Sequence, residues 1–336
     1  MQKLHTLILA LITSLGLSGC STLYGVTGDV LSNYAVDHMA PYVLASEDIY
    51  MACEDGRSIG NLLMSFERVT DAPDKAAIMA LVSAGMCGEF AAYEAELAHV
   101  RHLNAGRVGD ATDARILQQR LSARAASRFA RAYERLVAAY GEPGDSCPEL
   151  SESDEVLYLL GLSGGMLGLL FDRTANGVVG VDMGIPAKVL RASECLDDQR
   201  WYGIPGALKG ALYTSIPGSA PEGVDPWKLL DDAATKGEQT GVRLARALQI
   251  KAAIGAGKTE RNREYITSHF VSLGKTSAPE RGRLLDLYAT TMIQHFSDVI
   301  WVEDTGHRTP LGQSGTFWKE PEADSGEDDD LLDGLE

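Results

Sequence analysis

The stretch VLYLLGLSGGMLGLLF, residues 156–171, contains no charged residue and predicts the centre of the fold. Its sixteen residues fall short of the roughly 20 apolar residues that a membrane-spanning helix needs. A helix that is apolar on every side is instead buried inside a protein. The sequence therefore predicts a central helix here, covered by other helices.

Four glycines recur at helical spacing in this stretch and leave small surfaces on the predicted helix. Small surfaces allow neighbouring backbones to approach closely, and they also suit the wall of a narrow apolar cavity. Close packing is the more frequent role, and the cavity is the second interpretation. Under that second interpretation the candidates for a ligand-facing or partner-facing surface are Gly161, Gly164, Gly165 and Gly168.

Helical periodicity extends outward from this stretch over nearly the whole chain. Apolar residues recur three and four positions apart, as in Ile59, Leu62, Leu63 and Phe66 and again in Tyr288, Met292 and Phe296. The only strand candidate is short, residues 178–181. We predict an all-α fold of about ten or eleven helices, packed as antiparallel hairpins in degenerate tetratricopeptide-like (TPR-like) repeats. An α-solenoid and a compact bundle both satisfy this pattern.

The beginning of the chain carries a targeting pattern. An apolar run from Leu7 to Leu17 follows Lys3 and is too short to span a bilayer. It ends in Leu17-Ser18-Gly19-Cys20, which resembles the lipobox of bacterial lipoproteins, where the cysteine thiol is lipidated with palmitate-type chains. We expect residues 1–19 to be a cleaved signal peptide and Ser21 to favour the periplasmic face of the outer membrane. The alternative is an ordinary secretory signal.

The charges of the chain limit its possible partners and its domain boundaries. The formal net charge is −17, which argues against nucleic acid as a partner. Nine acidic residues and no basic one lie between Glu320 and Glu336, and such a block repels itself. We predict a lipidated segment over residues 20–45, an all-helical domain over 46–305 and a disordered acidic tail over 306–336.

Besides Cys20 the chain has four cysteines, and an even number in an oxidising compartment predicts two disulfides. Cys53 and Cys87 lie at similar distances on either side of a predicted turn near Thr70, so an antiparallel hairpin would pair them. Cys147 and Cys195 then pair by elimination. Four buried free thiols are the alternative.

Motifs for catalysis, metals and cofactors are missing from the sequence. Residues 255–259, GAGKT, resemble the end of a phosphate-binding loop, but Ala252 stands where the first glycine is required. Glu96 and His99 have di-iron spacing but lack the second copy that such a site needs. We predict no catalytic residues, no metal and no cofactor, and hence a protein that is not an enzyme.

Aromatic residues and glycines are densest in residues 201–213, WYGIPGALKGALY. Aromatic side chains beside flexible backbone suit a binding surface, and they suit a packing corner between repeats equally well. The candidates for a ligand-facing or partner-facing surface here are Trp201, Tyr202 and Tyr213.

The order of these segments resembles the TatT lipoproteins, which are associated with tripartite ATP-independent periplasmic (TRAP) transporters. The matching features are the lipobox, an entry at residues 45–48, the glycine-rich helix from Tyr158, and residues 206–217 leading into Asp225-Pro226-Trp227. The resemblance implies an all-helical scaffold with TPR-like repeats that docks a periplasmic solute-binding protein. It also implies a small hydrophobic or organic-acid ligand, and homo-oligomers in some members.

These expectations combine into one function and one alternative. The first is a lipid-anchored helical scaffold, accessory to a TRAP-type solute transport system. The alternative is a structural or assembly lipoprotein that tethers a cell-envelope complex without a ligand.

Overall fold

The structure, a computed structural model, describes residues 22–216 and 218–318. The predicted signal peptide, the lipidation site Cys20 and residues 319–336 of the predicted tail, which include the acidic block, lie outside the described residues. Within them the chain is all-helical, and no strand occurs. In chain order the helices are α1 (22–44, with a π-helical turn at Ala35–Met39), α2 (Ile49–Ser65), α3 (Pro73–Asn104), α4 (Val108–Tyr140), α5 (Glu152–Thr174), α6 (Ile185–Ala192), α7 (Ile204–Ser215), α8 (Pro226–Thr240), α9 (Leu244–Gly255), α10 (Asn262–Leu273) and α11 (Arg283–Thr305).

Local side-chain chemistry determines several helix starts. Ser151 and Asp154 form a reciprocal capping box at the start of α5. Asp225 accepts hydrogen bonds from the amides of Trp227 and Lys228, and Pro226 occupies the first position of α8, as the sequence predicted.

The strand candidate over residues 178–181 is instead a loop held by one buried carboxylate. Asp172, near the end of α5, accepts hydrogen bonds from the backbone amides of Val179, Gly180 and Val181, at 2.9, 3.0 and 2.9 Å. Because these amides are satisfied by a side chain, the segment needs no partner strand.

The predicted hairpins and their crosslinks are present. α2 and α3 are antiparallel neighbours joined by Cys53–Cys87, whose Cα atoms are 5.4 Å apart. Cys147 and Cys195 form the second disulfide, with a Cα–Cα distance of 5.3 Å, between the loop before α5 and the turn after α6. Both predicted pairings are confirmed.

α3 and α5 occupy the interior. Both are long and apolar enough to cross a membrane, yet most of the surface of each is buried against other helices. The predicted central helix over 156–171 is therefore confirmed as part of the core.

The architecture is compact because the last helix returns to the first hairpins. In a solenoid each repeat contacts only its neighbours in sequence. Here α11 packs on α3, and Asn104 donates a hydrogen bond to the Val302 carbonyl at 2.8 Å. This closure favours the bundle over the solenoid, and the TPR-like character of the hairpins stays a prediction.

One buried ion pair fastens the C-terminal half. Arg243, with no solvent exposure, donates to the Asp286 carboxylate at 2.7 Å and to the backbone carbonyls of Gly241 and Ser272, each at 2.8 Å. The Arg243 amide also donates to Asp286, at 2.9 Å. The guanidinium therefore ties the start of α9 to α10 and α11.

The disordered tail was predicted to begin at residue 306, but the chain stays packed on the domain up to residue 318. Residues 306–318 form no helix, yet they pack on the domain: the Trp301 indole donates to the Thr316 carbonyl at 2.9 Å, and Thr267 donates to the Gly315 carbonyl at 2.7 Å. The prediction of disorder came from the acidic composition, which starts only at Glu320. It therefore could not predict the structure of residues 306–318.

Candidate ligand-binding site

A cleft of about 660 Å³ opens between α3, α4, α5, α9 and α11, with the start of α10 at its rim. One wall is apolar and includes Leu170, Phe171, Phe296, Val299 and Ile300. The volume is within the range of small-molecule sites, which combine an apolar lining with a few placed polar groups.

A buried carboxylate lies beside the inner part of this cleft. Glu89 on α3 has no solvent exposure and accepts hydrogen bonds from the hydroxyls of Tyr93 and Tyr288, each at 2.5 Å. Burial, followed by the nearby charge of Glu89, raises the pKa of both tyrosines well above the usual 10. Both hydroxyls therefore keep their protons and act as donors to Glu89.

Lys251 on α9 carries a positive charge into the cleft. Its Nζ lies 3.8 Å from the nearer Glu89 oxygen and 5.2 Å from the centroid of the Phe171 ring. The first distance allows charge attraction but is too long for a hydrogen bond. An ammonium group has three donors, and within the described part of the chain none of these is matched by an acceptor at hydrogen-bond distance. Lys251, at 23% side-chain exposure, can therefore donate to a ligand.

His295 and Glu96 form a second polar pair in the wall. The imidazole Nε2 lies 2.9 Å from Glu96 Oε2, and the ring stacks on Tyr93 with centroids 3.8 Å apart. Burial alone would raise the pKa of Glu96, but the hydrogen bond from His295 and the charges of Arg115 and Lys251 lower it on balance. Glu96 is therefore an ionised acceptor held in place by His295.

Three lining residues have buried polar atoms without a hydrogen-bond partner among the described residues. These atoms are Ser122 Oγ, Asn262 Oδ1 and His295 Nδ1, and the three residues are 0%, 4% and 6% exposed. A buried polar group without a partner costs about 1–3 kcal/mol. A polar ligand group in the cleft would relieve that cost.

A second cavity of about 720 Å³ lies on the other side of the Tyr93–His295 stack. Tyr93 and His295 line both cavities, and the Cys53–Cys87 disulfide lies in the wall of the second. The stacked rings thus form part of the partition between the two spaces.

The glycines of α5 do not line this cleft. A Cβ at Gly161 would lie 2.3 Å from Leu136 Cδ1, and one at Gly165 would lie 2.5 Å from Tyr133 Cδ2. Gly164 and Gly168 face Val82 and Ala130 at 3.3 and 3.1 Å. All four let α5 approach its neighbours, chiefly α4, which is the close-packing interpretation.

The aromatic candidates lie in a packing corner away from the cleft. Trp201 is 2% exposed and donates its indole N–H to Glu155 at 2.8 Å. Tyr202 is buried, and its hydroxyl accepts a hydrogen bond from Arg281 at 3.1 Å. Tyr213 is half-buried on α7 and lines neither large cavity.

The residues considered for metal binding take other roles. His99 Nδ1 lies 2.8 Å from the Ala111 carbonyl oxygen, while Glu96 pairs with His295 on a distant helix. Cys53, Glu54 and Cys87 lie close together, but the two thiols are consumed by the disulfide and offer no ligand.

Apart from Glu96, which the sequence offered only as half of a metal-type pair with His99, the polar residues in and beside the cleft were not predicted, although a weak signal existed. Glu89, Tyr93 and Glu96 recur four and three positions apart on the apolar helix α3, which places them on one face. Tyr288 and His295 are seven positions apart on α11. Polar residues on a buried helix face indicate a polar site. Their partners on α9 and α11 are more than 150 positions away, so the sequence could not show which residues complete the site.

Comparison of the chain with protein-family models, with curated proteins and with solved structures found no match in any of the three. The resemblance to the TatT lipoproteins therefore stays a prediction.

Proposed function

We propose that this chain is a non-catalytic binding protein of the bacterial cell envelope, anchored through Cys20, whose cleft binds a small organic acid with an apolar part. The observation that carries the proposal is Lys251, whose ammonium group lines the cleft with donors unused by the described residues. A carboxylate at Lys251 would form a charge-assisted hydrogen bond.

The rest of the wall suits the same ligand. Phe171 and Phe296 offer apolar surface to a hydrocarbon portion. The Ser122 hydroxyl, which lacks a partner among the described residues, can donate a hydrogen bond to a carboxylate. Glu96 already has a partner in His295, so it competes less for Lys251 than a free carboxylate would.

The proposed role in the cell is that of an accessory scaffold of a TRAP-type transport system, which docks a periplasmic solute-binding protein. Support comes from the lipobox-like sequence before Cys20, from the antiparallel helical hairpins, and from a cleft suited to organic acids.

Ligand binding is tested by titration calorimetry with linear monocarboxylates of increasing chain length, each matched with its primary amide. We expect carboxylates to bind and amides to bind at least about tenfold more weakly, because only the carboxylate pairs with the ammonium group. Lys251→Met should abolish the difference. The matched control is Lys258→Met, which removes an exposed lysine stacked on Trp227 outside the cleft. Equal binding by wild type and Lys251→Met would overturn the ligand site.

The transport context has its own test. The mature chain is used to capture partners from envelope extracts, followed by mass spectrometry of proteins and lipids. Recovery of a solute-binding protein supports the accessory role. Recovery of an envelope assembly complex without one overturns it and favours the structural lipoprotein.

A further inference from the structure

The first helix exposes its large apolar side chains to solvent. Leu23, Val26, Val30 and Tyr34 lie at helical spacing on one face of α1, and each is between 54% and 65% exposed. A surface helix of a soluble protein normally buries such a face against the core. A contiguous exposed apolar face marks an interaction site.

The orientation of α1 is fixed by packing on its opposite face. A Cβ at Gly28 would lie 2.8 Å from Thr70 Cγ2 and 2.9 Å from Phe66 Cδ1, so only glycine permits this approach. Ser32 on the same side is 1% exposed, and Thr70 donates a hydrogen bond to Asp29. The small residues therefore dock the helix and leave the large apolar ones outward.

The exposed face is also electrically neutral. Asp29 is the only charged residue in 22–34, and it is engaged with Thr70 on the docked side. Thr27, within the exposed face, satisfies its hydroxyl by donating to the Leu23 carbonyl at 2.9 Å. An apolar face without charge suits a hydrocarbon environment, and tyrosine is a residue that favours the membrane–water interface.

The position of this face in the chain identifies its occupant. Two peptide units connect Cys20 with residue 22, the first described residue of the helix, and they span at most about 7 Å. An acyl chain on Cys20 would thus hold the beginning of α1 at the lipid surface. We propose that the Leu23–Val26–Val30–Tyr34 face lies in the membrane interface as a second anchor beside the lipid. This inference rests on the proposed lipid anchor.

Vesicle flotation of the unlipidated chain from residue 21 onward tests the face itself. The probe is a zwitterionic phosphatidylcholine vesicle, since the face has no basic residue to seek anionic lipid. We expect binding that does not change between low and high salt, because screening acts on charges only. Replacing all four residues by serine should weaken partitioning by about tenfold or more, because each buried apolar side chain contributes substantially.

Two further variants keep the test decisive. Val30→Asp is a single exposed change that should weaken binding while the helix content and both disulfides persist. Val178→Ser/Met183→Ser removes two equally exposed apolar residues from a loop, at 73% and 72% exposure, and should leave binding unchanged. Absence of flotation by the wild type, or equal flotation by the face variants, overturns the proposal. A dimer that the face variants dissociate, without vesicle binding, shows that a second copy covers the face and also overturns it.

Failure of this inference differs from failure of the proposed function. Mass spectrometry of protein extracted from membranes determines whether Cys20 carries lipid. Calorimetry with carboxylates reports on Lys251, and vesicle binding by the unlipidated chain reports on α1 alone.

Discussion

The Tyr288 hydroxyl donates to the Glu89 carboxylate at 2.5 Å and so joins two residues 199 positions apart. The bond connects α11 with α3 beside the cleft, where Tyr93 donates to the same carboxylate. This contact closes the bundle next to the candidate cleft, which Tyr93 lines.

Tyr288→Phe should destabilise the protein by about 1.5–3 kcal/mol, because it removes a hydrogen bond to a buried carboxylate. The free energy of unfolding from urea titration measures the loss. The matched control is Tyr158→Phe, since the buried Tyr158 hydroxyl has no hydrogen-bond partner among the described residues and its removal should cost less than about 0.5 kcal/mol. Equal losses in the two variants would contradict the assigned bond.

Arg243→Met should cost about 3–5 kcal/mol, because it leaves the Asp286 carboxylate buried without its countercharge. Denaturant unfolding again supplies the free energy. The control is Arg57→Met, whose ion pair with Glu54 is exposed and should be worth less than about 1 kcal/mol. A small loss for Arg243→Met would show that the network contributes little to the fold.

Gly161→Ala should destabilise by about 1–3 kcal/mol, because the added methyl group would overlap Leu136 and force α4 and α5 apart. Gly109→Ala, in the first turn of α4, meets no atom within 4 Å and should be neutral or stabilising by up to about 1 kcal/mol. Thermal unfolding of both variants distinguishes the overlap at Gly161 from the general effect of replacing a helical glycine by alanine. A stable Gly161→Ala variant would mean that α5 has room beside α4.

Acid should weaken the protein through His269. Burial, followed by the charges of Arg243 and Arg246, lowers the pKa of His269 from 6.5 to about 3. The unfolded chain therefore takes up this proton at a higher pH than the folded one. The stability contribution is complete above pH 6.5 and is lost as the pH falls toward 3, at roughly 1.4 kcal/mol per unit at most.

The variant His269→Asn should flatten this part of the pH profile of unfolding free energy. The control is His307→Gln, which changes an exposed histidine and should leave the slope as in the wild type. A slope that persists in His269→Asn would assign the acid sensitivity to another group.

Much of the fold was predictable, because it depends on local patterns. Apolar spacing along residues 156–171 predicted a buried helix, and symmetry about the turn near Thr70 predicted the Cys53–Cys87 pair. The loop over 178–181 was not predictable, since its amides are held by the carboxylate of Asp172, seven to nine positions earlier. A β-branched pattern alone cannot indicate that a side chain replaces a partner strand.

The candidate site was also largely unpredictable from the sequence, because its residues come from distant helices. Glu89 and Lys251 each fit the pattern of their own helix, and only the tertiary structure brings the Lys251 ammonium group of the cleft within 3.8 Å of the buried Glu89 carboxylate. The composition around Trp201 predicted a binding surface as readily as a packing corner, yet the Trp201 indole donates a hydrogen bond to Glu155 inside the protein. Composition identifies residues suited to binding but cannot distinguish a cavity wall from a packing corner.

The sequence by itself determined the helical class, the α2–α3 hairpin and the Cys53–Cys87 pair, because these follow from spacings along the chain, and the second disulfide then followed by elimination. Only the tertiary structure decided that α11 closes on α3, that Glu89, Tyr288 and Lys251 meet, and that α1 turns its apolar face outward. The physical reason is that contacts between distant helices depend on the shapes of the packed helix surfaces, which the spacing of residues along the chain does not specify. A glycine such as Gly28 then settles which face of a helix is docked and which one remains exposed.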